Sequence, residues 1–310
     1  MKLVFCGTPQ FAVPGLEALV RAGHRVELVV TQPDRPRGRG MELALSPVKQ
    51  KALELALPIM QPEKIKRNEE FRAQLEAIAP EAIIVIGYGR LIPDWMLGLP
   101  RHGNINLHAS LLPKYRGAAP IQWSIAKGEH VTGNTTMRLD AGLDTGDILL
   151  QNEVEIAPDD TSMTLAPKLA STGAELLLKT LEGLEAGTIT PRKQDHDAAT
   201  LAPILSKEDG RVDFARTAQE IHNRLRGFQP WPGAFTSYRE KSLVLHAVAP
   251  LAHGKLSPGE LAVEQGKLLV GCGEGTMLEL LEVQLEGKRR MSAREFMNGY
   301  QPKPGERLGI

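Results

Sequence analysis

Ala82, Ile83, Ile84, Val85 and Ile86 form an unbroken apolar run, with no polar residue on either alternating face. A strand of that kind needs both faces covered, which is the environment inside a parallel sheet flanked by helices. The residues before it supply the rest of such a unit. An apolar run at 3–6 ends in Gly7, Thr8 and Pro9, a helical pattern follows to about residue 22, and a second strand reads at 26–31. Ser46 followed by Pro47 can cap a helix, and a further helix at 68–78 leads into the apolar run. Beyond it, strands read at 104–108, 135–139 and 148–156, and a long apolar-periodic helix runs from Ser162 to about residue 184, ending at Gly187. Strands alternating with helices in this way predict an open α/β sheet.

The pattern dissolves at 188–206, where Pro, Thr, Asp and Lys follow no helical or strand period. The chain therefore reads as a first domain at 1–187, a linker at 188–206 and a second domain at 207–310. After a helix at 215–226, short strands at 234–238, 243–248, 267–270 and 277–283 are separated by turns containing Gly or Pro, which predicts a small β-rich barrel. A length of 310 residues suits two such domains. Lys plus Arg and Asp plus Glu both total 37, so any nucleic-acid binding must come from local clustering. The 2 cysteines, Cys6 and Cys272, lie far apart with no metal-ligand spacing, which points to neither a disulfide framework nor a zinc site. Met1 runs directly into a strand, without the apolar segment of a signal peptide, so a soluble, cytoplasmic protein without a membrane span is expected.

A strand entering Gly7-Thr8-Pro9 invites a dinucleotide-binding reading, but the pyrophosphate fingerprint needs three spaced glycines and only Gly7 is present. No Walker-type phosphate loop occurs either. The denser signal begins at Asn104. If 104–108 is extended, Asn106 and His108 share a face at the carboxyl end of a strand, where ligands of open α/β sheets bind. An amide beside an imidazole suits acyl transfer, since the amide can donate to an oxyanion and the imidazole can donate to it or move a proton. The stretch from Met137 to Asp147 adds Asp140, Asp144 and Asp147 as candidate carboxylates that could orient His108, against the alternative that each only closes its own turn.

Asn106-x-His108-x-Ser110-Leu111-Leu112-Pro113, followed by Tyr115-Arg116-Gly117 with Ala118, Ala119 and Pro120, and then by Leu143-Asp144-Thr145-Gly146-Asp147, resembles the signature of enzymes that use 10-formyltetrahydrofolate. The full order, from Phe5-Cys6-Gly7 through Gly38-Arg39-Gly40 to the segment from Asn223 to Gly233, resembles the branch of that family acting on methionyl-tRNA and covers nearly the whole chain. The resemblance implies Asn106, His108 and Asp144 as catalytic residues and Ser110, Leu111, Leu112 and Pro113 as a folate-binding loop. It also implies a Rossmann-like first domain and a second domain of the oligonucleotide-binding (OB-like) β-barrel type. The folate would be a consumed cosubstrate with no metal and no nucleotide cofactor, and the partner would be methionyl initiator tRNA; apart from the resemblance, a monomer is expected. A tight loop against a ligand is a place for a cis peptide bond, expected at Leu112-Pro113.

Arg35, Arg37 and Arg39 crowd the loop after the second strand and are the expected tRNA contacts, Arg39 most sharply from the resemblance. Trp231, between Pro230 and Pro232, is either a base-stacking aromatic or an anchor of a domain junction through its large apolar surface, and the second reading is preferred. Three alternatives stay open at this point: a formyltransferase acting on an amino sugar, a formyltetrahydrofolate hydrolase domain, and a noncatalytic RNA-binding protein, the last leaving Asn106, His108 and Asp144 unexplained.

Overall fold

The computed structural model describes residues 1–37 and 42–309. The chain divides into two compact units, and neither is a single continuous segment. The first comprises Met1–Pro120, Val131–Glu155 and Leu165–Pro203, and the second Ile121–His130, Ile156–Thr164 and Ile204–Ile310. Most of the stretch 188–206 therefore groups with the first unit.

In chain order, the elements up to residue 185 are β1 (Lys2–Gly7), α1 (Val13–Arg21), β2 (Arg25–Val30), β3 (Arg35–Arg37), β4 (Glu42–Ala44), α2 (Pro47–Glu54), β5 (Ile59–Met60), α3 (Glu69–Ile78), β6 (Ala82–Ile86), α4 (Asp94–Leu97), β7 (Asn104–His108), α5 (Pro120–Ala126), β8 (Val131–Arg138), β9 (Ile148–Glu155) and α6 (Ser162–Glu185). Seven strands form one sheet in the order β5, β2, β1, β6, β7, β8, β9. The period-2 logic of a doubly covered sheet is explicit. Leu3 and Phe5 of β1 and Ile84 and Ile86 of β6 pack into one core with Leu16 of α1 and Leu177 of α6. Their neighbours Val4, Cys6, Ile83 and Val85 pack on the opposite face with Phe71 and Leu75 of α3. Full burial of each such large side chain contributes roughly 1.5–3 kcal/mol.

The helices begin where the sequence signals them. Ser46 accepts the Lys49 amide at 3.1 Å and Asn68 the Phe71 amide at 3.0 Å, each relieving one unpaired N–H of a first turn. The sheet is open, as expected, and not parallel throughout. β7 pairs antiparallel with β8, and β8 antiparallel with β9. The loop joining β8 to β9 is too short for a crossover helix, so the two must form a hairpin. The result is a mixed sheet, parallel from β5 to β7 and antiparallel beyond.

The second unit holds α7 (Ala218–Gly227), β10 (Ala234–Tyr238), β11 (Lys241–Leu251), β12 (Leu261–Glu264), β13 (Lys267–Gly271), β14 (Met277–Leu285), β15 (Met291–Ser292) and α8 (Ala293–Tyr300). Its sheet is antiparallel, in the order β10, β11, β14, β13, β12, with β15 added to β14. The expected barrel is not closed among the described residues, where strand pairing runs as an open path from β10 to β12. Leu245, Leu280 and Phe296 sit in its core. Buried Arg226 shows why 156–164 belongs here: its guanidinium donates to the Asp160 carbonyl at 2.8 Å and to the Asn223 side chain at 2.9 Å. Trp231 does not follow the preferred reading. It is 55% exposed, so it is not a buried anchor of this unit.

Candidate active site

Asn106 and His108 end β7, both nearly buried. Their strand neighbours Ile105 and Leu107 face the α1 and α6 side of the sheet, so alternation puts Asn106 and His108 together on the other face. His108 Nε2 lies 2.9 Å from the Tyr115 carbonyl. A carbonyl only accepts, so Nε2 carries the proton in that bond. The other nitrogen, Nδ1, is thereby turned toward Asp144, whose Oδ2 stands 3.7 Å away. That separation is longer than a hydrogen bond and short enough for charge pairing with an imidazolium. Among the described residues, the Asn106 amide has no protein hydrogen-bond partner, although the residue is only 8% exposed.

The three candidate carboxylates separate cleanly. Asp140 is exposed and serves its own turn, accepting from the Gly142 amide and the Thr145 hydroxyl. Asp147 pairs with Lys193 at 2.9 Å. Asp144 alone reaches His108, and its Oδ2 also accepts the Gly117 amide at 2.8 Å. Asp144 has a φ of 52°, in the left-handed region that Asp tolerates better than most residues. Gly146 lets the loop fold back on β8: a Cβ there would lie 1.8 Å from the Arg138 carbonyl oxygen.

The segment after β7 is held from several sides. The Ser110 hydroxyl donates to the Lys114 carbonyl at 2.6 Å, and Thr135 bridges the Ser110 carbonyl and the Leu112 amide. Ser110 is fully buried and Leu112 packs with Met137 and Ile148, so these two side chains build the loop. Leu111 and Pro113 are half-buried, and the Leu112-Pro113 bond is cis. Gly117, at a φ of 121°, sits where a Cβ would be 2.6 Å from the Ala202 carbonyl oxygen, so its close backbone approach is required. Of the arginine loop, Arg35 is exposed at the start of β3. Arg39 lies outside the described residues, and of Arg37 only the backbone is described.

Sequence reasoning missed the stretch that braces this loop. Thr200 accepts the Tyr115 amide at 2.8 Å, Ala202 donates to the Arg116 carbonyl at 2.7 Å, and Gln194 bonds both Arg116 and the Asp144 carbonyl. These residues lie in the aperiodic segment read as a linker, where pattern carries no signal of tertiary contact. Among the described residues, no cluster of His, Cys, Asp and Glu could hold a metal ion, and no helix is long and apolar enough to cross a membrane.

Residues 1–181 match the formyl transferase family and residues 204–301 match the formyl transferase C-terminal domain. The chain is 68% identical over 309 residues to the methionyl-tRNA formyltransferase of Koribacter versatilis, covering 100% of this chain and 99% of that protein. It is 64% identical over 310 residues to the methionyl-tRNA formyltransferase of Acidobacterium capsulatum, covering 100% of each. The crystal structure of the N-formyltransferase from Helicobacter canadensis, in complex with folinic acid and dTDP-3-aminofucose, shares the fold, with a TM-score of 0.65 at 19% identity over 90% of this chain and 98% of that one.

Proposed function

We infer the roles below from one premise: this chain belongs to the methionyl-tRNA formyltransferase family, as its full-length identity to curated members requires. It is an enzyme that formylates the α-amino group of methionyl initiator tRNA. The donor is a folate, taken as 10-formyltetrahydrofolate, in keeping with the folinic acid bound to a protein of the same fold. The observation that carries the reading is the end of β7, where an Asn106 amide with no partner among the described residues adjoins a His108 whose Nδ1 faces the Asp144 carboxylate.

In this mechanism the uncharged amine attacks the formyl carbon, forming the new C–N bond and pushing the carbonyl electrons onto oxygen. Asn106 donates to that oxyanion. His108, its Nε2–H held by the Tyr115 carbonyl, presents Nδ1 to the reacting centre, and protonated there it donates to the oxyanion. Asp144 stabilises the imidazolium and, directly or through water, takes the proton lost by the amine. The intermediate collapses by breaking the bond to the folate nitrogen, which leaves with that proton. No covalent enzyme intermediate forms, and proximity supplies much of the acceleration. The loop Ser110, Leu111, Leu112 and Pro113 borders the folate, with the half-buried Leu111 and Pro113 available to it and Ser110 and Leu112 holding its shape.

Arg35, Arg37 and Arg39 contact the tRNA near its acceptor end. The antiparallel sheet of the second unit is an oligonucleotide-binding-type module that contributes through one face, beside the basic run Lys288-Arg289-Arg290 between β14 and β15. In that basic run Arg289 and Arg290 are paired with Glu295 and Glu282. The enzyme acts as a cytoplasmic monomer. Offering purified protein and the folate donor three acceptors in parallel (methionyl initiator tRNA, a nucleotide-linked amino sugar and water) tests the reading. N-formylmethionine from the tRNA alone supports it; formyl sugar or free formate in its place would overturn it.

A further inference from the structure

We propose that Gln194 and Arg116 are positioning residues that set the Asp144 carboxylate against His108. Gln194 is 6% exposed, and its side-chain amide nitrogen donates to the carbonyl oxygens of both Asp144, at 2.8 Å, and Gly146, at 2.7 Å. One amide therefore fixes both the Asp144–Thr145 and the Gly146–Asp147 peptide planes. The orientation of that amide is not free. Its oxygen accepts from Arg116 Nε at 3.0 Å and Nη2 at 2.7 Å, and a guanidinium only donates, so the NH2 group must face the two carbonyls.

Arg116 is itself unusual. It is 6% exposed and permanently charged, yet its remaining partner is His196 Nδ1, at 3.2 Å, and among the described residues no carboxylate pairs with it. Burying a charge against neutral acceptors is costly, and an apolar pair of similar volume would fill the space at lower cost. What the arrangement achieves is geometric. Arg116 directs Gln194 to the Asp144 main chain, while the next residue, Gly117, donates its amide to the Asp144 carboxylate at 2.8 Å. Both the backbone and the side chain of Asp144 are thus referenced to two consecutive residues of the loop that also carries Tyr115, the His108 partner. Asp144 holds a left-handed φ of 52° at the edge of an otherwise exposed turn, a conformation that needs such outside support.

This inference rests on the catalytic role of Asp144, and the experiment separates the two. Gln194→Glu keeps the length and the acceptor for Arg116 but removes both donors; Gln194→Met removes donors and acceptor alike. Each is measured for kcat, for KM with the folate donor and with methionyl-tRNA, and for melting temperature, beside Asp144→Asn and the Gln194→Glu/Asp144→Asn double variant. The expected result is a kcat lowered by at least about tenfold in both Gln194 variants, with each KM within about threefold, as for an interaction expressed only in the transition state. In the Asp144→Asn background, Gln194→Glu should lower kcat by less than about twofold, because residues acting as a unit are non-additive. A slow Asp144→Asn beside a full-speed Gln194→Glu or Gln194→Met overturns the brace alone, as do additive losses or a kcat loss that merely tracks lost folded protein. A full-speed Asp144→Asn overturns the role of Asp144 and the brace together.

Discussion

Gly117→Ala places one methyl group where the loop after β7 meets the segment at Ala202. The new Cβ would stand 2.6 Å from the Ala202 carbonyl oxygen, where ordinary contact begins near 3.4 Å, so the two segments must separate by about 0.8 Å. Ala202 is held in turn, its amide donating to the Arg116 carbonyl at 2.7 Å, so much of the movement falls on residue 117. The Gly117 amide donates to Asp144 Oδ2 at 2.8 Å, and a shift of that size along the bond takes it past hydrogen-bonding range. The φ of 121° adds backbone strain for any residue with a Cβ, roughly 1–2 kcal/mol. A displacement approaching 1 Å at a reacting centre lowers turnover by about 10²-fold. Single-turnover formylation of methionyl-tRNA under saturating folate donor reads that loss directly, with a thermal melt run in parallel. A rate equal to that of the unaltered enzyme, with the variant fully folded, would refute both the crowding argument and the importance of the Gly117 to Asp144 bond.

Asn106→Ala should lower kcat by about 10²–10³-fold, the usual loss for one oxyanion donor, with the KM for tRNA unchanged; steady-state kinetics at saturating substrates checks it. Arg39→Ala should raise the KM for methionyl-tRNA and steepen no folate dependence, so equal kinetic constants for both substrates before and after would remove the arginine loop from the tRNA interface. Burial, with the Arg226 charge adding to it, holds His222 below the ordinary imidazole value, and among the described residues its buried Nδ1 has no hydrogen-bond partner. The unfolded chain therefore takes up a proton that the folded one refuses as pH falls through about 6.5, so stability is full above that pH and declines below it. His222→Gln should flatten that part of the decline in melting temperature between pH 7 and pH 5, and an identical slope would assign it to other groups.

The sequence made legible whatever depends on local pattern. The apolar run of β6, the caps at Ser46 and Asn68, and the shared face of Asn106 and His108 follow from periodicity and hydrogen-bonding chemistry over a few residues. Choosing among Asp140, Asp144 and Asp147 needed coordinates, because all three are equally able to close a turn and only the fold decides which one meets a histidine 36 positions earlier. Gln194, Thr200 and Arg116 were illegible for the same reason, their contacts spanning about 80 positions through a segment with no period. The hairpin of β8 and β9 was missed as a topology although both strands were read, since pairing direction is set by the connection and not by strand composition. α8 did carry a local signal, the Ser292 and Glu295 capping box, which ordinary pattern reading could have used.

His108, paired with Asp144 at the end of β7, is proposed to carry the chemistry of formyl transfer to methionyl-tRNA. A rapid-quench single turnover with preformed enzyme, folate donor and methionyl initiator tRNA, read as N-formylmethionine by mass after deacylation, tests it most directly. His108→Ala should form product at least about 10²-fold more slowly while binding the tRNA as the unaltered enzyme does. Product formed at the unaltered rate by a folded His108→Ala enzyme would remove His108 from the reaction.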